Sequence, residues 1–288
     1  MRLGIIGCGN MGGAMARHLL ENGQSLTCHD PDAETCAAMA DAGAGIADSA
    51  AALAAGADIV LLSLPNAAIV RAVMADIGGL LCPGTIVLDS STSEPQTSRD
   101  LYSEGQAAGF HFIDGPVSGG PVAARAGTMT MLLGGDAGAI AAIRPLLDLL
   151  TAKTVHVGGA GAGHAAKIVN NMLCAANLVL VAEALRLGAA AGVGAEALLE
   201  GINAGSGRSG VSEVNYPKWV LPGAFDSGFT MGLMRKDVGL ARDLAAGAGV
   251  DMPGFAAIAQ VWADSAGALA DAEDFNRITE FQKTEASQ

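Results

Sequence analysis

The stretch Arg2-Leu-Gly-Ile-Ile-Gly7-Cys-Gly9-Asn10-Met11-Gly12 constrains the fold of this chain more than any other. Leu3–Ile6 reads as a short buried strand, and Gly7-x-Gly9-x-x-Gly12 follows at once and opens a helix from about Met11 to Asn22. In that setting each glycine has a task. Gly7 permits a tight turn, Gly9 lets the backbone approach a pyrophosphate, and Gly12 lets the helix pack on the strand. Asn10 and Met11 then carry free amides at the helix N-terminus, where the dipole favours an anion. A second strand, Leu26–His29, ends at Asp30, 23 residues after Gly7, where a carboxylate accepts hydrogen bonds from an adenosine ribose. A glycine-rich turn and a turn aspartate before Pro31 are the structural alternative, which the flanking strand and helix disfavour. No Lys or Arg occurs between His18 and Val70, and Asp30 would repel a 2′-phosphate, so the expected cofactor is NAD rather than NADP.

The rest of the first half repeats the alternation. Strands are expected at Leu3–Ile6, Leu26–His29, Asp58–Leu62, Thr85–Asp89, Phe110–Asp114, Met129–Leu133 and Thr154–Val157, with helical stretches such as Ala33–Ala42, Ser49–Ala55, Ala67–Met74 and Ala137–Leu150 between most of them. That order implies an α/β fold with a Rossmann-type, doubly wound parallel sheet. Short connections around 110–133 add an antiparallel or mixed extension. After Gly163 the strand signal stops, and 164–190 reads as one helix of about 27 residues, roughly 40 Å long. Further helices are expected at 195–203, 212–220, 230–248 and 254–270. The expected domains are a dinucleotide-binding domain, 1–162, and an all-helical domain for substrate and oligomerisation, 163–288, with disorder confined to the last few residues.

Composition narrows the partners. A net charge of −13 argues against nucleic acid and anionic membranes. The five cysteines include no C-x-x-C pair and mostly sit beside apolar neighbours, so buried free thiols in a reducing cytoplasm are expected. No cysteine–histidine cluster has metal-ligand spacing. The chain starts on an expected strand, so no signal peptide is expected. Ile168–Leu187 carries Asn170, Asn171, Asn177, Glu183 and Arg186 and reads as too polar to span a membrane, so a soluble protein is expected.

Within Gly161-Ala-Gly163-His-Ala-Ala-Lys167-Ile-Val-Asn170-Asn171, Lys167 and Asn171 lie one helical turn apart in an otherwise apolar setting. Burial disfavours an ammonium and brings a lysine toward proton exchange near neutrality. A lysine that snorkels to water from a structural helix fits the same residues. Four further segments fit one site: Leu64-Pro65-Asn66 after the third strand, Asp89-Ser-Ser-Thr92 after the fourth, Asp114-Gly-Pro-Val-Ser118-Gly119-Gly120 after the fifth, and Lys236-Asp237 within a later helix. Ligands bind at the carboxyl ends of such strands. Ser118-Gly119-Gly120 offers a hydroxyl and closely spaced amides to a carboxylate. Taken singly, ordinary turns and a solvated charge pair account for these segments equally well.

Taken together, the set closely resembles the β-hydroxyacid dehydrogenase family, which includes 3-hydroxyisobutyrate dehydrogenase and tartronate semialdehyde reductase. The likeness covers nearly the whole chain, in order and with family-like spacing. It implies hydride transfer between a small β-hydroxy acid and NAD, with Lys167 as the catalytic lysine and Asn171 orienting substrate. It also implies Ser118, Gly119 and Gly120 at the substrate carboxylate, Thr92 at the nicotinamide ribose, Leu64, Pro65 and Asn66 along the cofactor, and Lys236 at the nicotinamide end. A homodimer or homotetramer through the helical domain is implied as well. Gly210 stands where the family often has an aromatic residue, which leaves the acid open among hydroxyisobutyrate, glycerate, threonate, serine-like and sulfonated candidates. The rivals are an imine or neutral-carbonyl reductase on the same fold and a non-catalytic NAD-binding module.

Overall fold

Short runs of Ile, Val and Leu build the centre of the sheet. In β4 (Ile59–Leu62) and β5 (Ile86–Asp89) every residue is buried, the pattern of parallel strands covered on both faces. The computed structural model describes residues 1–285 and divides into two units, Met1–Lys167 and Ile168–Gln288.

In the first unit β1 (Leu3–Ile6), β2 (Leu26–His29), β3 (Gly45–Ile46), β4, β5 and β6 (His111–Asp114) run parallel in the order 3-2-1-4-5-6. The mixed extension follows as expected. β8 (Met129–Gly134) pairs antiparallel with β6 and with β7 (Val117–Ser118), and parallel with β9 (Thr151–Gly158). Alternate residues feed two cores. Ile5, Leu61, Leu88 and Ile113 pack with Met15 and Leu19 on one face, while Ile6, Val60, Val87 and Phe112 pack with Leu53 and Val70 on the other. The strand order reverses at β1, between β2 and β4, so the loops leaving β1 and β4 flank the crevice where this architecture takes its ligand.

The helices of this unit are α1 (Asn10–Glu21), α2 (Ala33–Asp41), α3 (Ala50–Ala54), α4 (Ala67–Ile77), α5 (Pro95–Ala108), α6 (Gly120–Ala126), α7 (Ala137–Ala142) and α8 (Arg144–Leu150). Asp32, Ser49, Asn66 and Asp136 cap α2, α3, α4 and α7 through their side chains, each worth about 1 kcal/mol. The single helix expected over 137–150 breaks at Ile143 instead. Pro145 cannot donate within a helix interior and sits in the first turn of α8, where no donation is needed.

The second unit is helical: most of α9 (Ala162–Ala190), α10 (Ala195–Ala204), a π-helix (Val211–Val220), α11 (Met231–Ala248), α12 (Pro253–Asp264) and α13 (Ile278–Glu285). The helix expected over 254–270 ends early, passing into a short 3₁₀ turn at Ser265–Gly267. Pro217 inside the π-helix withholds an N–H from any regular ladder. Tyr216 and Trp262 anchor the core and satisfy their polar atoms on α9: the Tyr216 hydroxyl donates to the Leu178 carbonyl (2.9 Å) and Trp262 Nε1 to that of Ala175 (3.2 Å).

One expectation needs correction. By length and composition α9 is apolar enough to cross a membrane, with a mean hydropathy of 1.7 in its best window, so its few polar residues do not disqualify it. Its inward residues Ala175, Leu178, Val179 and Ala182 are instead core of the second unit. The expected disorder of the last few residues falls on 286–288, outside the described residues.

Candidate active site

Gly7 and Gly12 stand where the turn and the helix packing require glycine. Gly7 has φ +87°, and a Cβ there would lie 2.3 Å from the Ser63 carbonyl oxygen. A Cβ on Gly12 would sit 1.9 Å from the Gly7 oxygen, so only glycine lets α1 close onto the turn. Beside Gly9 the space is open, and no side chain caps α1. The amides of Asn10 and Met11 therefore face outward without helical acceptors. Asp30 is tied to the turn: Oδ2 accepts from Cys8 N (2.7 Å) and Oδ1 from Asp32 N (3.0 Å). Each carboxylate oxygen keeps a further lone pair for a ribose hydroxyl. A groove of about 680 Å³ borders this turn, lined among others by Gly9, Asn10, Arg17, Thr35 and Arg125. These residues fit a dinucleotide. The Cys8 thiol between the glycines is pushed up by its hydrogen bond with Cys28 and by burial.

Two neighbouring loops join this end. Leu64 N donates to Ser91 Oγ (2.9 Å), Pro65 and Asn66 are exposed, and the Asn66 side chain is occupied as the α4 cap. Asp89 is buried and accepts from Ser91 N (3.0 Å), and burial pushes its carboxyl upward. Thr92 lies half-buried on the same loop.

At the end of the first unit Lys167 is buried, 6% exposed, and its Nζ donates to Ser118 Oγ at 2.9 Å. The structure thus brings together the two residues assigned to proton transfer and to the carboxylate seat. Gly119 and Gly120, with φ +120° and +66°, turn the backbone from β7 into α6, where Pro121 withholds one amide. Asn171 lies four residues further along α9 and is buried in the second unit. Its Nδ2 donates to Asp237 Oδ2 (2.5 Å) and its Oδ1 accepts from Asn170 (3.1 Å). Lys236 is not a solvated charge: its Nζ lies 3.5 Å from Oδ1 of the buried Asp237.

Sequence reasoning gave no role to three residues here. Asp237 falls on the apolar face formed by Met231, Met234, Val238 and Ala241, a periodicity that singles out a buried carboxylate. Asp114 and His164, both fully buried, were quoted only as parts of motifs. Among the described residues no group of three or more His, Cys, Asp or Glu forms a metal site.

Comparison with known proteins identifies the family. Residues 2–158 match the NAD binding domain of 6-phosphogluconate dehydrogenase, and residues 161–281 match the NAD-binding domain of NADP-dependent 3-hydroxyisobutyrate dehydrogenase. The chain is 37% identical to the 2-(hydroxymethyl)glutarate dehydrogenase of Eubacterium barkeri, over 91% of this chain and 88% of that one. It is 38% identical to the NAD-dependent L-serine dehydrogenase of Pseudomonas aeruginosa, over 85% of each. The structure of Mycobacterium tuberculosis 3-hydroxyisobutyrate dehydrogenase with L-serine superposes with a TM-score of 0.92 at 31% identity, over 98% of this chain and 99% of the other. A strand–glycine turn–helix unit on a doubly wound sheet, followed by a helical unit, is the build of a dinucleotide-dependent dehydrogenase. This chain belongs to the β-hydroxyacid dehydrogenase family and is an NAD-dependent oxidoreductase of small hydroxy acids.

Proposed function

We propose that the enzyme interconverts an acid of the form HOCH₂–CH(R)–COO⁻ and its semialdehyde, with Lys167 as general acid–base. The contact between the buried Lys167 and Ser118 carries this reading. The named substrates of the three relatives share that carbinol and carboxylate and differ in R, so R is the group left to specificity. NAD would supply the hydride acceptor when bound; Asn10 and Met11 would hold its phosphates, Asp30 the adenosine ribose, Leu64, Pro65 and Asn66 its length, Thr92 the nicotinamide ribose and Lys236 the nicotinamide end.

Ser118 and the amides of Gly119 and Gly120 take the carboxylate and aim the carbinol, which converts binding energy into orientation. Lys167, as the neutral amine, accepts the hydroxyl proton at Nζ while the carbinol carbon gives up its hydride. In the reverse direction the ammonium returns that proton to the forming alkoxide. Asn171, its amide fixed by Asp237 and Asn170, orients the substrate hydroxyl.

NAD reduction measured over a panel of β-hydroxy acids and their methyl esters tests the reading. Free acids are expected to react and esters to be poor, because amides left facing a neutral group lose about 1–3 kcal/mol each. Esters turned over as fast as acids would leave a reductase of neutral carbonyls or imines on the same scaffold.

A homo-oligomer completes the reading. In the second unit Leu173, Leu180 and Leu187 recur every seven residues on the outer side of α9, and each is at least half exposed. That stripe suits the same helix of a second copy. Light scattering should show a dimer or tetramer, and Leu180→Glu should shift it toward monomer. A monomeric wild-type chain at micromolar concentration would remove this assignment. All five cysteines are free, in keeping with the reducing cytoplasm we assign to the enzyme.

A further inference from the structure

His164 is fully buried three residues before Lys167, and the mechanism above does not use it. Its Nε2 lies 2.8 Å from the Ser91 carbonyl oxygen, which only accepts, so that nitrogen carries the hydrogen. In the neutral ring the Ser98 hydroxyl then donates to Nδ1, at 2.7 Å. The backbone amides around it are equally committed. Asp114 Oδ2 accepts from His164 N (2.9 Å), and Asp114 Oδ1 accepts from Gly161 N (2.7 Å). One carboxylate thus caps the start of α9 with both oxygens. Gly163 makes the approach possible, since a Cβ there would lie 2.5 Å from the Leu132 oxygen and 2.7 Å from that of Asp114.

These bonds form a continuous chain. Leu64 N reaches Ser91 Oγ, the Ser91 carbonyl reaches the His164 ring, the His164 amide reaches Asp114, and Asp114 ends the strand that leads into Ser118-Gly119-Gly120. The loops leaving β4, β5 and β6 are therefore all pinned to the first turn of α9. Lys167 stands one turn further on, with its Nζ on Ser118. The ring sits where a small rotation of that first turn would carry Nζ away from the carboxylate seat.

We propose that His164 is a positioning residue: by bridging Ser91 and Ser98 it fixes the rotation of α9 that holds the Lys167 amine against Ser118. The inference rests on the reading of Lys167 as general acid–base. A misplacement on the ångström scale costs up to about a hundredfold in rate. The effect should fall on the chemical step, since neither ring nitrogen faces solvent or the glycine turn.

Four variants, each assayed with the best acid of the panel, test it: His164→Leu, His164→Gln, Ser98→Ala and Lys167→Ala. Leucine fills the space without either bond, and kcat should fall by about tenfold to a hundredfold. NAD affinity should stay within about threefold, and the isotope effect with β-deuterated acid should be at least as large as in wild type, since a step slowed at the chemistry exposes it more fully. Glutamine offers an N–H to Ser91 and an oxygen to Ser98, so it should restore most of kcat. Ser98→Ala, which removes one bond from an intact ring, should give a partial loss and keeps the test open if the leucine variant does not fold. Folded His164→Leu within twofold of wild-type kcat would overturn the inference, as would equal losses in the leucine and glutamine variants. If the leucine variant is unfolded, an unchanged kcat in Ser98→Ala overturns it instead. Lys167→Ala separates the two claims: if it keeps wild-type kcat, the lysine reading itself has failed.

Discussion

Lys167→Ala is expected to fold and bind NAD as the wild type does and to lose kcat by at least about 10²-fold. General acid–base groups typically contribute about 10²–10⁴-fold, and the Lys167 amine on Ser118 is buried at this site. The loss belongs to kcat because the proton moves only as the hydride does, whereas the cofactor is held from the glycine turn and Asp30. Lys167→Met keeps an unbranched, flexible side chain of nearly the same reach without the amine, so a similar loss there excludes a packing effect. Steady-state rates on the best acid, beside NAD binding followed by fluorescence, check both variants. A kcat near wild type in either one removes Lys167 from the mechanism.

The second large effect concerns the nucleotide. Asp30 is anchored by the amides of Cys8 and Asp32 with its carboxylate at the end of β2, a placement suited to ribose hydroxyls and hostile to a phosphate. A hydrogen bond to a charged group is worth about 1.5–3 kcal/mol, and repulsion of the 2′-phosphate adds to it. The ratio of kcat/KM for NAD over NADP should therefore exceed about tenfold and narrow sharply in Asp30→Ala. Comparable efficiency with NADP in the wild type would mean that Asp30 does not meet the adenosine ribose.

Much of the fold was legible because it is written in local patterns. β1, β2 and the glycine turn between them follow from a four-residue apolar run, fixed glycine offsets and an aspartate at a strand end, and all stand at the expected positions. The breaks were harder. Ile143 interrupts an apolar stretch that periodicity alone reads as one helix, and only the placing of Pro145 reveals it. β3, two exposed residues paired with β2, carries no hydrophobic pattern at all. At the site, chemistry-bearing residues in motifs were visible, but their mutual contacts were not. Ser118 and Lys167 are 49 residues apart in sequence and meet only through β7 and α9. The network of Asp114 and His164 depends on a histidine ring that hydrogen-bonds residues 66 and 73 positions away. No spacing rule joins positions so distant. Asp237 was within reach of periodicity, since it breaks an otherwise apolar face of α11.

The central claim is that a hydride passes between the β-carbinol carbon of a hydroxy acid and NAD while Lys167 moves the proton. The most direct measurement uses an acid carrying deuterium on the carbinol carbon, with the cofactor product analysed by NMR or mass spectrometry. The account predicts that one deuterium appears at C4 of the reduced nicotinamide, that none washes into solvent, and that turnover shows a primary isotope effect. Deuterium retained in the acid while NAD is reduced, or lost to water, would contradict it.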